Sequence, residues 1–93
     1  MVRSFASRET ELVWQGVRSK RLPPDVQRLG LRKLRFINNA KLLVELRVPP
    51  GNRLEALRAG REGQWSIPIN DQWRICFFWR DGGAENVEIV DYH

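Results

Sequence analysis

Three titratable side chains stand together at the end of the sequence, in the tripeptide Asp91-Tyr92-His93. His93 is the only histidine of the chain, and histidine is the one side chain whose ordinary pKa lies near neutral pH. The residues before the tripeptide, Val87–Val90, are strand-like, and such a strand would hold it at the edge of a folded core. These side chains could transfer protons, although a terminal histidine is more often a solvated residue without a chemical role.

The chemistry open to such groups is the cleavage of RNA without a metal. RNA supplies its own 2′-OH as the nucleophile, so the protein must provide a base for that proton, an acid for the 5′-oxygen and cations for the phosphorane. His93 could take either proton role, with Asp91 orienting it or acting as the partner base. Arg58, Arg61 and Arg74 are the candidates for charge stabilisation. Because there is no second histidine, a two-histidine mechanism is excluded.

The charge of the chain favours a polyanionic partner. The formal net charge is +5 and the sequence pI is near 10.3, with only three lysines among the 16 basic residues. Arginine presents a planar fork that suits phosphate and stacks on bases, so nucleic acid fits better than a membrane surface. The same charge could also serve solubility alone.

The remaining composition narrows the class of protein further. There is no apolar stretch of about 20 residues, so we expect no transmembrane helix. The single cysteine, Cys76, cannot form an internal disulfide, which favours a reduced, cytoplasmic setting. One cysteine and one histidine cannot make a zinc site of the usual kind, and we expect neither metal nor cofactor.

The first half of the sequence predicts a short strand followed by two helices. Val2–Phe5 has strand character, and Ser7 is the expected N-cap of a helix that reaches about Ser19. A second helix begins at Pro24 or the residue after it and ends near Asn38. Its apolar residues recur at helical spacing: Val26, Leu29, Gly30, Leu34 and Ile37.

The second half predicts an antiparallel meander. Leu42–Val48 could be a short strand or a helical turn, Pro49–Asn52 is a breaker, and Arg53–Gly63 is an arginine-rich surface loop. Turns at Asn70–Gln72 and Asp81–Gly83 separate three alternating segments, at 64–69, 73–80 and 87–91. The sequence therefore predicts one α+β domain over residues 1–93, in the order β-α-α-β-β-β, with both helices on one face of an antiparallel sheet.

Two groups of arginines have alternative interpretations. Arg28, Arg32 and Arg35 form a stripe on the second helix that could be a solvated face, or could contact RNA backbone or an acidic partner protein. Arg74 lies among aromatic residues on a central strand and needs a partner. That partner could be a carboxylate such as Asp91, in a structural salt bridge, or a substrate phosphate.

Three segments in order, Gly60–Ile67, Asn70–Phe77 and Val87–His93, resemble the HigB branch of the RelE superfamily of bacterial toxins. The Pro49–Glu55 segment is also similar to that branch. Together the matching segments cover about half of the chain. Their occurrence in this order is more specific for the family than any one segment alone.

The resemblance implies a compact microbial-ribonuclease-type fold and a ribosome-dependent, metal-independent mRNA endonuclease. Such a toxin enters the A site of the 70S ribosome, cuts the codon there and stops translation. The resemblance also implies a cognate HigA-type helix-turn-helix antitoxin, which neutralises the toxin and represses the shared operon. Contact with operator DNA would then be indirect, through the antitoxin.

Carried over residue by residue, Asp91 and His93 match the acid/base end of the family, with Tyr92 between them. Arg61 and Arg74 match its basic residues. Some members place a histidine in the loop before the Arg-Glu-Gly motif, where this chain has Glu55 nearby. That difference weakens any mechanism that requires a second imidazole, so Asp91, Glu55 or the ribosome would supply the other proton-transfer group. Further contacts to RNA phosphates are predicted for Arg53 and Arg58 of the loop and for Arg28, Arg32 and Arg35 of the stripe.

Two other functions remain open from the sequence. ParE-type relatives share the fold and poison DNA gyrase, but the Asp91-Tyr92-His93 end together with Arg61 and Arg74 argues against that group. A non-enzymatic nucleic-acid-binding or co-repressor module would use the arginine surface without the tripeptide.

Overall fold

The computed structural model describes residues 1–48 and 52–91. Asp91 is therefore the last residue whose surroundings are known. Tyr92 and His93 lie outside the described residues, as does the Pro49–Gly51 part of the predicted breaker. Within the described ranges, every helix is too short or too polar to cross a membrane.

The first helix, α1, spans Arg8–Trp14, and its predicted N-cap is confirmed. The hydroxyl of Ser7 accepts the N–H of Thr10 at 3.2 Å, which satisfies one of the free donors of the first turn. The predicted end near Ser19 is wrong, because the helix stops before Gly16, whose φ is +78°.

The end of α1 has the hydrogen bonds of a glycine-terminated helix. The N–H of Val17 reaches back to the carbonyl of Leu12 at 2.9 Å, and the N–H of Gly16 reaches the carbonyl of Val13 at 3.0 Å. This pair of bonds satisfies carbonyls of the last turn and requires the left-handed backbone that glycine adopts without strain.

The second helix, α2, spans Pro24–Asn39, close to the predicted bounds. Its apolar stripe faces the sheet, and its buried members are Val26, Gly30, Leu34 and Ile37. A Cβ on Gly30 would lie 3.3 Å from Cδ1 of Ile89, so the missing side chain lets α2 approach the sheet closely. The next segment, Leu42–Val48, was predicted as either a short strand or a helical turn. It contains a 3₁₀ helix at Leu43–Arg47, so the helical turn is the correct alternative.

Four antiparallel strands form one sheet in the order β1-β2-β3-β4. They are β1 at Glu55–Ala56, β2 at Gln64–Pro68, β3 at Trp73–Arg80 and β4 at Gly83–Asp91. The predicted meander is confirmed as β2, β3 and β4. The short strand β1 lies inside the segment predicted as loop, and it pairs with β2 only at Ser66 and Trp65. Pro68 lies beyond that pairing, as a residue without an N–H requires.

The predicted first strand, Val2–Phe5, is reduced to two isolated bridges. Val2 pairs with Ala84 and Phe5 with Val87, both parallel to β4. Between them Asn86 has a φ of +52°, and its N–H bonds to the hydroxyl of Ser4 at 2.8 Å. This left-handed residue interrupts the ladder, so the segment flanks β4 without forming a continuous strand.

The core lies between the sheet and the two helices. The sheet contributes fully buried side chains from its three long strands, with Ile67, Ile75, Phe77 and Val87 at its centre. Leu34 and Ile37 of α2 are equally buried against them. Both helices therefore cover the same face of an antiparallel sheet, as the sequence predicts, and they leave the other face uncovered.

Candidate active site on the sheet face opposite the helices

The second face of the sheet has a narrow polar floor. Because side chains alternate along a strand, Cys76 points away from the side that Ile75 and Phe77 pack against. The register sets Ser66 of β2 and Glu88 of β4 opposite Cys76 on its two sides. Ser66 and Cys76 are fully buried, so charged side chains must cover them.

Arg74 makes hydrogen bonds and an ion pair on this face. Its Nε donates to the hydroxyl of Ser66 at 2.8 Å, and its Nη2 lies 3.5 Å from Oε2 of Glu55. Nη2 also donates to the carbonyl oxygen of Arg53 at 3.4 Å. The side chain is only 14% exposed, whereas that of Glu55 is 55% exposed. The prediction that Arg74 is partly covered and paired is confirmed, with Glu55 as a partner.

Arg61 approaches the same face from the turn before β2. The carbonyl oxygen of Arg61 accepts the N–H of Gln64 at 3.1 Å, which closes that turn. The guanidinium Nη1 lies 3.3 Å from Oε1 of Gln64 and 3.5 Å from Oε1 of Glu88. Its side chain is 35% exposed, so this cation is oriented and still accessible to a ligand.

The thiol of Cys76 is not the nucleophile of this site. Burial raises the pKa of Cys76, and this effect outweighs the nearby charges of Arg61 and Arg74, which lower it. Glu88 acts on the pKa in the same direction as burial. The thiol therefore stays protonated near neutral pH, and the cysteine serves as part of the floor beneath two arginines.

Asp91 ends β4 at the same end of the sheet as Arg74, but strand alternation sets it on the side of Ile89 and Trp73 and not on the face that carries Arg74. The register sets Asp91 opposite Trp73, while Arg74, one residue further along β3, is opposite Val90. Asp91 is exposed, and its Oδ2 accepts a hydrogen bond from Nε2 of Gln72 at 3.0 Å. The two remaining members of the predicted triad, Tyr92 and His93, lie outside the described residues, and their roles stay predictions.

The other predicted arginines divide between two sides of the molecule. Arg53 and Arg58 are exposed on either side of β1, on the rim of the face that carries Arg74. Arg28, Arg32 and Arg35 are exposed on the side of α2 turned away from the sheet. This second group cannot act together with Arg61 and Arg74 on one bound phosphate, because α2 and the sheet separate them.

Sequence reasoning missed three polar residues of the site: Ser66, Gln64 and Glu88. Each alternates with apolar neighbours, which is the signal that would have put it on the polar face of its strand. Their convergence on Arg61 and Arg74 depends on the strand register, and the alternation does not define that register.

Comparison with known proteins identifies the family of the chain. Residues 4–93 match the model of the family described as RelE-like toxin of type II toxin-antitoxin system HigB. Toxin HigB-1 of Vibrio cholerae is 39% identical over 69 residues, which cover 74% of this chain and 73% of that protein. Endoribonuclease HigB of Proteus vulgaris is 36% identical over 98 aligned residues, which cover all of both chains.

Two solved structures share the fold at low sequence identity. A chain of the YoeB-YefM complex from Staphylococcus aureus superposes with a TM-score of 0.63 at 14% identity, covering 100% of this chain and 98% of that one. YafQ from E. coli strain BL21(DE3) gives a TM-score of 0.57 at 12% identity, covering 98% and 93%. With the family match along nearly its whole length, this chain belongs to the HigB-like family of RelE-like toxins of type II toxin–antitoxin systems.

Proposed function

We propose that the protein is an endoribonuclease that cuts mRNA in the A site of the translating 70S ribosome and does not use a metal. The observation that carries the proposal is the fixed guanidinium of Arg74, bonded to Ser66 and Glu55 at the end of the sheet where β4 reaches Asp91. The likeness to Endoribonuclease HigB along the whole chain supports the same activity.

The reaction that fits these groups is transfer of the phosphate within the RNA. The 2′-oxygen forms a bond to the adjacent phosphorus, and the bond from phosphorus to the 5′-oxygen breaks. One proton leaves the 2′-OH for a base, and another reaches the 5′-oxygen from an acid. The products are a 2′,3′-cyclic phosphate and a 5′-hydroxyl end.

Arg74 is suited to stabilise the charge that develops on the phosphorane. Its hydrogen bond to Ser66 and its ion pair with Glu55 hold the guanidinium in one position before substrate binds, so little reorganisation is needed during reaction. Arg61, oriented by Gln64 and Glu88, would bind a neighbouring phosphate. Both roles need the planar fork of arginine.

Three side chains are candidates for the two proton transfers. Asp91 and His93 remain the predicted pair, with Tyr92 beside them. Glu55 gains support because its half-exposed carboxylate lies 3.5 Å from Arg74, on the face where the phosphate would bind. Arg53 and Arg58, exposed beside β1, would contact the RNA backbone further along the strand.

A cognate antitoxin is the protein partner expected of this family. A HigA-type helix-turn-helix protein would neutralise the toxin and carry it to operator DNA, which the toxin itself would not contact. The gyrase-poisoning alternative loses support because the matching family model is the HigB type.

The test is primer extension on mRNA translated in a reconstituted system. We expect new 5′ ends within codons for the wild type, and a loss of about 100-fold or more for Asp91→Ala and for His93→Gln. Asp71→Ala removes an exposed carboxylate from the turn before β3 and serves as the matched control. Equal cleavage of ribosome-free RNA, or inhibition of gyrase supercoiling without cleavage, would contradict the proposal.

A further inference from the structure

An apolar groove lies between the C-terminal end of α2 and the 3₁₀ helix, and its lining residues lie outside the sheet. Its volume is about 370 Å³. Phe36, Asn39 and Ala40 line it from the side of α2, and Glu45 and Val48 line it from the other side. No candidate for the proposed RNA cleavage lines this groove.

The segment beside the groove is unusually apolar for an exposed surface. Of the five large hydrophobic side chains that are exposed within the described ranges, three lie here: Leu42 at 62%, Val44 at 59% and Val48 at 68%. Leu46 is turned into the core, whereas Glu45 and Val48 line the groove. An apolar cluster left exposed in this way indicates a binding surface.

The surroundings of the groove are basic. Glu45, the acidic side chain among the described residues that line it, accepts the backbone N–H groups of Lys41 and Leu42 through Oε2, at 3.1 and 2.7 Å. Arg32 and Arg35 stand one helical turn before Phe36 and Asn39, so the arginine stripe of α2 runs directly into the groove. Arg47 and Lys41 are exposed at its other end.

We propose that this surface, the groove together with the stripe of Arg28, Arg32 and Arg35, binds an acidic amphipathic helix of the cognate antitoxin. Apolar side chains of that helix fill the groove at Phe36 and Val48, and its carboxylates pair with the stripe. From Arg28 to Asn39 the surface is about 17 Å long, which corresponds to about 11 residues of partner helix. The identity of the partner rests on the proposed function.

Two alternative occupants fit the same surface less well. RNA backbone would pair with the stripe but would leave Val48 exposed to water. A second copy of the chain would cover Val48 but would bring two arginine stripes together, which costs electrostatic energy. An acidic helix satisfies both halves of the surface.

The test is calorimetric titration of the toxin with its purified cognate antitoxin. Val48→Asp buries a charge in the groove and is expected to weaken binding by about 100-fold or more. Val17→Asp is the matched control, because Val17 is also an exposed valine but lies beside Gln27 and Leu31, outside the groove. It is expected to change the affinity by less than about twofold.

The stripe is tested by charge reversal and association kinetics. Arg32→Glu with Arg35→Glu is expected to slow association and to flatten its dependence on salt, because rim charges act mainly on the encounter rate. Arg18→Glu with Arg21→Glu makes the same change of net charge in the loop before α2 and should leave the kinetics close to wild type. Thermal unfolding of each variant verifies that it is folded.

The outcomes separate this inference from the proposed function. Binding that ignores Val48 and the stripe, equal weakening by the control variants, or a toxin dimer that Val48→Asp dissociates would each overturn the inference. Intact ribosomal cleavage by Val48→Asp together with lost antitoxin binding supports it. If the wild type cuts no RNA but the Val48 and stripe variants still weaken antitoxin binding, only the proposed function fails.

Discussion

The side chain of Thr10 in α1 caps the backbone of Ile89 in β4. Its hydroxyl oxygen accepts the N–H of Ile89 at 2.9 Å, and Ser7 shares a hydrogen bond with the same hydroxyl at 2.7 Å. Thr10 is fully buried, so water cannot replace this bond. The contact fixes the first helix to the strand that ends at Asp91, two residues beyond Ile89.

Thr10→Val tests the energetic importance of that contact. Valine keeps the shape of threonine but leaves the N–H of Ile89 buried without a partner, so we expect the free energy of unfolding to fall by about 1–3 kcal/mol. Urea unfolding of the purified toxin measures the change. Thr10→Ser retains the hydroxyl and should lose only the smaller contribution of one methyl group. A Val variant as stable as the Ser variant would show that the hydrogen bond contributes nothing.

Arg74→Lys tests whether the guanidinium fork is needed in addition to its charge. Lysine cannot bond Ser66 and Glu55 at the same time in the geometry of Arg74, so we expect cleavage on the ribosome to fall on the order of 100-fold. Single-turnover kinetics isolates this step from ribosome binding. Arg80→Lys alters an exposed arginine of the same strand and should leave the rate unchanged. A fully active Arg74→Lys enzyme would mean that a point charge suffices.

Cys76→Ser tests the effect of burial on the pKa of the thiol. Because the folded-state pKa is raised, the unfolded chain loses this proton first as the pH increases. The contribution of the protonated thiol to the free energy of unfolding is therefore fully present below about pH 8.5, the ordinary pKa of a thiol. Above that pH the free energy of unfolding declines by up to about 1.4 kcal/mol per pH unit. The serine variant should lack this decline.

Comparing the wild type with Cys76→Ser removes the contribution of Lys33 to the pH dependence of stability. The pKa of Lys33 is lowered, chiefly by burial and secondarily by Arg32, so its deprotonation has the opposite effect on stability at alkaline pH. Lys33 is present in both proteins and cancels in the difference between their unfolding curves from pH 7 to pH 10. Parallel curves over that range would contradict a raised thiol pKa.

Local signals in the sequence predicted much of the fold. The cap at Ser7, the start of α2 at Pro24 and the hairpin turn at Asp81 each depend on a few neighbouring residues. The end of α1 was also encoded locally, by Gly16, but the apolar residue Val17 beyond it favoured a longer helix. The prediction of a continuous first strand was wrong because the left-handed residue that interrupts it, Asn86, lies on the partner strand, far away in sequence.

The candidate site was predictable in residue type and only partly in geometry. Alternation around Arg74 predicted an arginine that needs a partner. Its partner Glu55 belongs to a two-residue strand inside an arginine-rich loop, and no periodic pattern exists over so short a length. The assignment of the arginine stripe to the far side of α2 follows only from the packing of that helix on the sheet.

The sheet has no long free edge in the part of the chain that the structure describes. On one side β1 is only two residues long. On the other side the first residues of the chain lie along β4, and Arg3 donates to the carbonyl oxygens of Arg80 and Asp81 at the hairpin turn, at 2.6 Å each. Unpaired edges are where folded sheets add further strands and polymerise. The strand richest in aromatic residues, β3, is enclosed between two others. A sheet enclosed in this way offers a second copy of the chain little edge to pair with.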